Sequence, residues 1–183
     1  MDHTWRAKDE RPLYTSEWVR VAMVDVELPD GTTIEHHVVD MRSPESAVVL
    51  AYRPDEGVLM IWRHRFITGT WGWELPGGHL DAGERPAQGA ARELHEETGW
   101  KAGRIEPMVS WNPVPGLVAA RFHCFFTSEV EWQGPRTDQN EVADVAWVPV
   151  SQLLTMIDKG EICDGSTTNG VLYALATGRI APS

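Results

Sequence analysis

Three glutamates, Glu93, Glu96 and Glu97, are spaced three and four residues apart, with Arg92 beside them and Glu84 shortly before. On a helix this spacing puts all three carboxylates on one side, within an arc of about 100°. Like charges about 4 Å apart near a surface repel by on the order of 1 to 4 kcal/mol, so the cluster helps the chain only if something positive sits against it. A hard divalent cation does this well. Donors that are all oxygen, without Cys or paired His, favour Mg2+, with Mn2+ as a substitute, over zinc. A cation so held suits phosphate chemistry, because it neutralises an anionic substrate and acidifies a water. Arg92, four residues before Glu96, pairs with that acid and orients it. The plainer alternative is a solvated acidic face with Arg92 as an ordinary salt-bridge partner. It explains the charges but neither the strict spacing nor the glycines that punctuate the segment.

The element that must carry these acids is the clearest helix in the chain. Pro86 opens it, and it runs to about Thr98 and stops at Gly99. Its neighbouring arc, Ala87, Ala90, Ala91, Leu94 and Thr98, is the expected packing face. Ahead of it, Trp18 to Leu28 and Thr32 to Val39 read as strands around the turn Pro29-Asp30-Gly31, and Ala47 to Tyr52 and Val58 to Trp62 form a second hairpin. Trp71 to Gly83 reads as loop, with one short strand through Glu74-Leu75. Val109-Ser110-Trp111, Arg121 to Thr127 and Val142 to Val148 read as strands. Ser151 is the expected cap of a short helix ending at Gly160, and Thr167 to Thr177 is a last helix before Gly178. The pattern is that of one mixed α/β domain.

Composition narrows the function. With 183 residues, 42% hydrophobic and 23% charged, the chain suits a single globular domain. A net charge of −11 argues against nucleic acid or an anionic membrane as a main partner, so a phosphate ligand must arrive with cations. There is no apolar run of about 18 residues and the N-terminus is polar, which points to the cytoplasm. Cys124 and Cys163, far apart and outside any CxxC, read as plain thiols. No His is assigned to a metal, since His95-Glu96-Glu97-Thr98-Gly99 is not HExxH.

Gly78-His79-Leu80-Asp81-Ala82-Gly83-Glu84 followed by Arg92-Glu93-Leu94-His95-Glu96-Glu97-Thr98-Gly99-Trp100 resembles the Nudix box, G-x5-E-x7-R-E-U-x-E-E-x-G-U with U bulky aliphatic. Every fixed position matches, and only Trp100 stretches the definition of U. The resemblance implies a Nudix fold, an α/β/α sandwich with a mixed sheet, here with an N-terminal β-hairpin extension. It divides the chain into an arm and hairpin at 1–43 and a Nudix domain at 44–183. It implies hydrolysis of a nucleoside diphosphate-X compound with divalent metal. By position, Glu93 and Glu97 are metal ligands, Glu96 is a ligand or water activator, and Gly77 is a ligand through its carbonyl. Arg92 serves catalysis, and Glu84, Gly78 and Gly99 support it.

Outside the box, residues from about Trp18 to Ala176 resemble the ADP-ribose pyrophosphatase branch. The resemblance rests on the N-terminal hairpin, Ile61-Trp62-Arg63-His64-Arg65, Trp73-Glu74-Leu75-Pro76-Gly77-Gly78, and Pro115-Gly116 beyond the box. Where the branch shows an RQYR-like segment, Arg65 matches the last arginine, which implies a contact to substrate phosphate or ribose. Glu74 and Gly116 are further implied substrate contacts. Glu141 matches a catalytic or metal-binding acid of a later loop, but Gln139 stands where a second acid is expected. In the first loop Ala120 replaces a glutamate of SPG-F-x-x-E, which puts ADP-ribose in question more than diphosphate hydrolysis. The branch builds homodimers from such a hairpin, with the neighbouring chain helping to line the base pocket. Trp18, Trp62, Trp71, Trp73 and Trp111 are candidates to stack on a base. ADP-ribose, cleaved to AMP and ribose 5-phosphate, is the leading substrate. The alternatives are another NDP-sugar, a nucleoside triphosphate, or a nucleotide-sensing module without hydrolysis.

Overall fold

The structure, a computed structural model, describes residues 2–137 and 140–181. In chain order the elements are β1 (Arg6–Thr15), β2 (Val19–Glu27), β3 (Thr33–Met41), β4 (Glu45–Arg53), β5 (Gly57–Arg65), β6 (Thr70–Glu74), β7 (Gly77–His79), α1 (Pro86–Thr98), β8 (Trp100–Ala102), β9 (Glu106–Trp111), β10 (Arg121–Thr127), β11 (Val130–Trp132), β12 (Asp144–Val148), α2 (Val150–Asp158) and α3 (Gly165–Ala176). They divide into two compact units, Met1–Pro44 with Asn112–Arg121, and Glu45–Trp111 with Phe122–Ser183.

In the first unit β2 and β3 pair antiparallel as expected, closed by a turn in which the Asp30 carboxylate accepts from the Thr32 N–H and Gly31 takes φ +85°. β1 adds a third strand on β2 that the sequence reading missed. Its ten residues are all exposed, so it has no in–out alternation by which to be recognised. Segment 112–121 joins this unit through the Val39 N–H, which donates to the Leu117 carbonyl.

The second unit is a seven-stranded mixed sheet, β12-β5-β4-β10-β9 with β6 on β5 and β7 on β4, between helices. β4 and β5 read as near-continuous apolar runs because both sheet faces are covered. Strand alternation sorts them. Ala47, Val49, Ala51 and Leu59 pack with Ala90 and Leu94 of α1, while Leu50, Val58 and Met60 pack with Leu153 and Met156 of α2 and Val171 and Ala174 of α3. This is the sandwich expected from the sequence.

Three local expectations need correction. The stretch read as mostly loop forms two strands, β6 and β7, whose glycines hid their pairing to β5 and β4. α2 is preceded by Pro149, not capped by Ser151, and its chain leaves the helix after Asp158. α3 starts earlier, at Gly165, because the Asp164 carboxylate accepts from the Thr167 N–H at 2.7 Å. α1 itself runs over the expected residues, with Pro86 at its first turn and Gly99 as a left-handed cap at φ +77°. A Cβ at Gly99 would also lie 2.0 Å from the Gly134 carbonyl oxygen, so glycine is required there twice over.

Candidate functional site

The packing face of α1 is rotated from the expected arc: Ala87 is exposed, whereas Gly89, Ala90, Leu94, Glu97 and Thr98 are buried. The rotation takes Glu97 out of the solvent-facing acid cluster and presses it against the sheet. There its Oε1 accepts from Arg63 Nη1 at 2.8 Å and its Oε2 from the Gly77 N–H at 2.8 Å. Arg63 reaches Glu97 by strand parity. Leu59, Ile61 and Arg63 alternate onto the same face of β5, the one α1 covers. The other guanidinium arm of Arg63 donates from Nη2 to Glu141 Oε2 at 2.5 Å.

On the outer side of α1, Arg92 gathers three more acids. Its Nε and Nη2 donate to the two oxygens of Glu84 at 3.1 and 3.0 Å, and its Nη1 donates to Glu93 at 2.8 Å and Glu96 at 3.0 Å. Nη2 also donates to the His79 carbonyl at 3.1 Å, tying the helix to the loop before it. Gly78 makes room for this group: a Cβ there would lie 2.6 Å from Glu93 Oε1. At Gly77 a Cβ would strike the backbone of β4, 2.4 Å from the Ala47 carbonyl oxygen. The structure thus brings Glu84, Arg92, Glu93, Glu96, Glu97, Gly77, Gly78 and Glu141 into one connected group.

Arg65 and Glu74 form a separate pair. The Arg65 fork donates from Nε at 3.0 Å and Nη2 at 2.6 Å to both oxygens of Glu74, which is itself buried. Glu74 therefore holds Arg65 by its two carboxylate oxygens, and the Arg65 side chain keeps about half of its surface exposed. Arg63, Arg65, Trp71 and Glu141, with the exposed Phe66, line a cleft of about 660 Å³. Trp71 stacks on Trp62 with ring centroids 5.9 Å apart, and Trp62 in turn lies against Trp73. Gly116 belongs to the 112–121 segment of the first unit and meets nothing within 4 Å of an added Cβ. Ala120 is buried in that unit, and Gln139 lies outside the described residues. Arg63 was missed as a functional residue, although reading β5 by alternation from Leu59 would have pointed it at α1.

Surroundings set the charges. Burial pushes the Glu97 carboxyl up to about 8, against the Gly77 N–H and Arg63, with Glu93 and Glu141 adding to the rise. Burial likewise raises Glu93, opposed by Arg92. Glu84 is held low by its hydrogen bonds from Arg92, and Arg65 is held more firmly protonated by Glu74. Burial pushes the Cys124 thiol up, away from reactivity.

Glu84, Glu93, Glu96, Glu97 and Glu141 share Arg63 and Arg92, five carboxylates against two guanidiniums. As they stand, no three His, Cys, Asp or Glu side chains among the described residues close on one point, because the arginines hold their oxygens. The excess negative charge and the all-oxygen donor set fit a hard divalent cation. Among the described residues no helix is long and apolar enough to cross a membrane.

Comparison with known proteins gives concordant matches. The family model described as NUDIX domain matches residues 42–167. A CMP-5'-(N-acetyl-N-hydroxy-3-aminopropyl)phosphonate hydrolase from Streptomyces rubellomurinus is 34% identical over 174 residues, 95% of this chain and 84% of that protein. An ADP-ribose pyrophosphatase from Mycobacterium tuberculosis is 29% identical over 187 residues, covering 99% of this chain and 89% of the relative. The crystal structure of an ADP compounds hydrolase shares the fold with a TM-score of 0.83, at 16% identity, over 96% of this chain and 97% of the other.

Proposed function

This chain belongs to the Nudix family, and on that premise we propose that it is a divalent-metal-dependent pyrophosphohydrolase of nucleoside 5′-phosphates joined by a P–O–P anhydride to a second group. It is a hydrolase acting on phosphoric anhydrides, and hydrolases of this family generally use divalent metal ions. The observation that carries the reading is the carboxylate group on α1, with Glu97 buried against Gly77 and Arg63 and Glu93 seated over Gly78.

Glu93, Glu97 and the Gly77 carbonyl would hold the metal, Mg2+ or in its place Mn2+, with Glu141 contributing from the later loop. When bound, such an ion neutralises the diphosphate and acidifies a water. Glu96, the most exposed of the three α1 acids, takes the proton as the water oxygen bonds to phosphorus and the anhydride P–O bond breaks. Arg92 orients Glu96 and Glu93, and Glu84 in turn fixes Arg92. Arg65, presented by Glu74, contacts substrate phosphate, and Trp71 offers an aromatic face for the base.

ADP-ribose, cut to AMP and ribose 5-phosphate, is the first substrate to test, in keeping with the ADP-ribose pyrophosphatase relative. The 34% identity to a CMP-phosphonate hydrolase favours a second, a cytidylyl anhydride of a phosphonate. The protein works as a homodimer in the cytoplasm. The exposed β1 strand, with Leu13 and Tyr14 in the open, supports the dimer, and sedimentation checks it. The deciding experiment incubates the metal-free protein with ADP-ribose, other NDP-sugars, CMP-linked phosphonates and nucleoside triphosphates, with and without Mg2+. Release of a nucleoside monophosphate only with Mg2+ is expected. Tight nucleotide binding without turnover of any compound would overturn the proposal in favour of a sensor.

A further inference from the structure

Arg63 is more than a strut. Its side chain is buried, yet among the described residues its Nε has no hydrogen-bond partner, and its two Nη groups go to acids on different elements, Glu97 on α1 and Glu141 before β12. A guanidinium sealed in a core for stability alone would have its donors satisfied, since each buried unsatisfied group is costly. Here one donor is sacrificed so that the fork can span two carboxylates. Among the described residues the ion pairs of Arg63 and of Arg92 go to different acids, so Arg63 is what ties Glu97 on α1 to Glu141.

We propose that Arg63 is the resident counter-cation of Glu97 and Glu141, and that a divalent ion taken up by the α1 carboxylates must win Glu97 from it. Arg63 is thus a positioning residue that also sets metal affinity. Its fixed charge opposes the incoming cation, and its fork keeps the segment before β12 attached to α1. The proposal rests on the metal-dependent reading given above.

The test is Mn2+ binding to the metal-free protein, followed by electron paramagnetic resonance, beside kcat with Mg2+. Arg63→Met removes the charge and keeps the bulk. Compared at a pH at which metal uptake has stopped rising for each protein, Mn2+ binding should tighten about tenfold while kcat falls, since a buried like charge has gone but the orientation is lost. Arg63→Lys keeps the charge but cannot span both acids, so Mn2+ affinity should stay near that of the unaltered protein while kcat falls. A merely structural arginine predicts the opposite, namely equal or weaker Mn2+ binding in a folded Arg63→Met, and that result overturns the proposal. In the unaltered protein, the Arg63 Nε–H resonance should shift during a Mg2+ titration that saturates the site, and an unmoved resonance also overturns it. Failure to take up Mn2+ at all would sink the metal-dependent reading with it. Metal uptake with the overturning Arg63 results leaves that reading standing.

Discussion

Two arginines hold the acids of α1 in different surroundings. Arg92 stands on the outer side with 27% of its side chain exposed and collects Glu84, Glu93 and Glu96, whereas Arg63, 8% exposed, reaches Glu97 from the sheet. Water reaches the first group at Arg92 and at Glu96, 42% exposed, so that pair adds little to stability, while the more enclosed Glu84 and Glu93 mainly fix geometry. The second group has lost its water, so its charges are expensive and strongly coupled to whatever cation is present. One helix therefore carries an adjustable set of acids and, on its buried side, a carboxylate that is protonated or paired according to its partners.

The largest effect expected from this contrast is at Glu97. Glu97→Gln should lower kcat by about 100-fold or more, measured at saturating Mg2+ with the fold checked by circular dichroism, while retaining a folded core. A loss of only a few-fold would mean that the buried acid is a structural partner of Arg63 and nothing else.

Next comes pH. The Glu97 carboxyl is raised to about 8 in the folded chain from an ordinary value of 4.5. Between those values the native state holds a proton that the unfolded state has released, so in the metal-free protein this group's contribution to stability falls as pH rises through the window. Metal must expel that proton, so apparent metal affinity should rise with pH by up to about tenfold per unit below 8 and level off above it. Calorimetry in buffers of different ionisation enthalpy would detect the released proton, and equal heats after buffer correction would count against the coupling.

A smaller effect is expected at Gly78. Gly78→Ala puts a methyl 2.6 Å from Glu93 Oε1, a flexible end that can swing away, so kcat should drop about tenfold with little change in melting temperature. An unchanged kcat would show that the seat of Glu93 is unimportant. The smallest effect is on the stability of Arg92→Lys. Lysine cannot reproduce the fork onto Glu84, but the site is partly solvated, so the change in unfolding free energy should stay below about 1 kcal/mol. A loss of several kcal/mol in urea titration would erase the distinction between the two arginines.

Much of this was readable in the chain. Pro86 and Gly99 delimit α1 by local backbone chemistry, and the spacing of Glu93, Glu96 and Glu97 follows from helical geometry, so placing the three acids on α1 needed no tertiary information. The hairpins β2–β3 and β4–β5 were marked by turn residues and apolar runs. β1 was not, because a strand exposed along its length has no pattern to betray it. Strands β6 and β7 were hidden by their glycines, of which Gly77 makes a close approach to β4 and Gly78 to Glu93, facts about partners distant in sequence.

What only the tertiary structure decided is how the acids divide. Helical periodicity groups the three glutamates together and cannot say where the sheet will lie. The rotation of α1 that buries Gly89 in place of Ala87 also buries Glu97 and brings Arg63, from 34 residues earlier, against it. Residue type and spacing thus determined that carboxylates would gather on α1, because those are local properties of the chain. Which of them lost its water, and which arginine came to hold it, depended on the packing of a helix on a sheet, because desolvation belongs to the assembled layers and to no single segment.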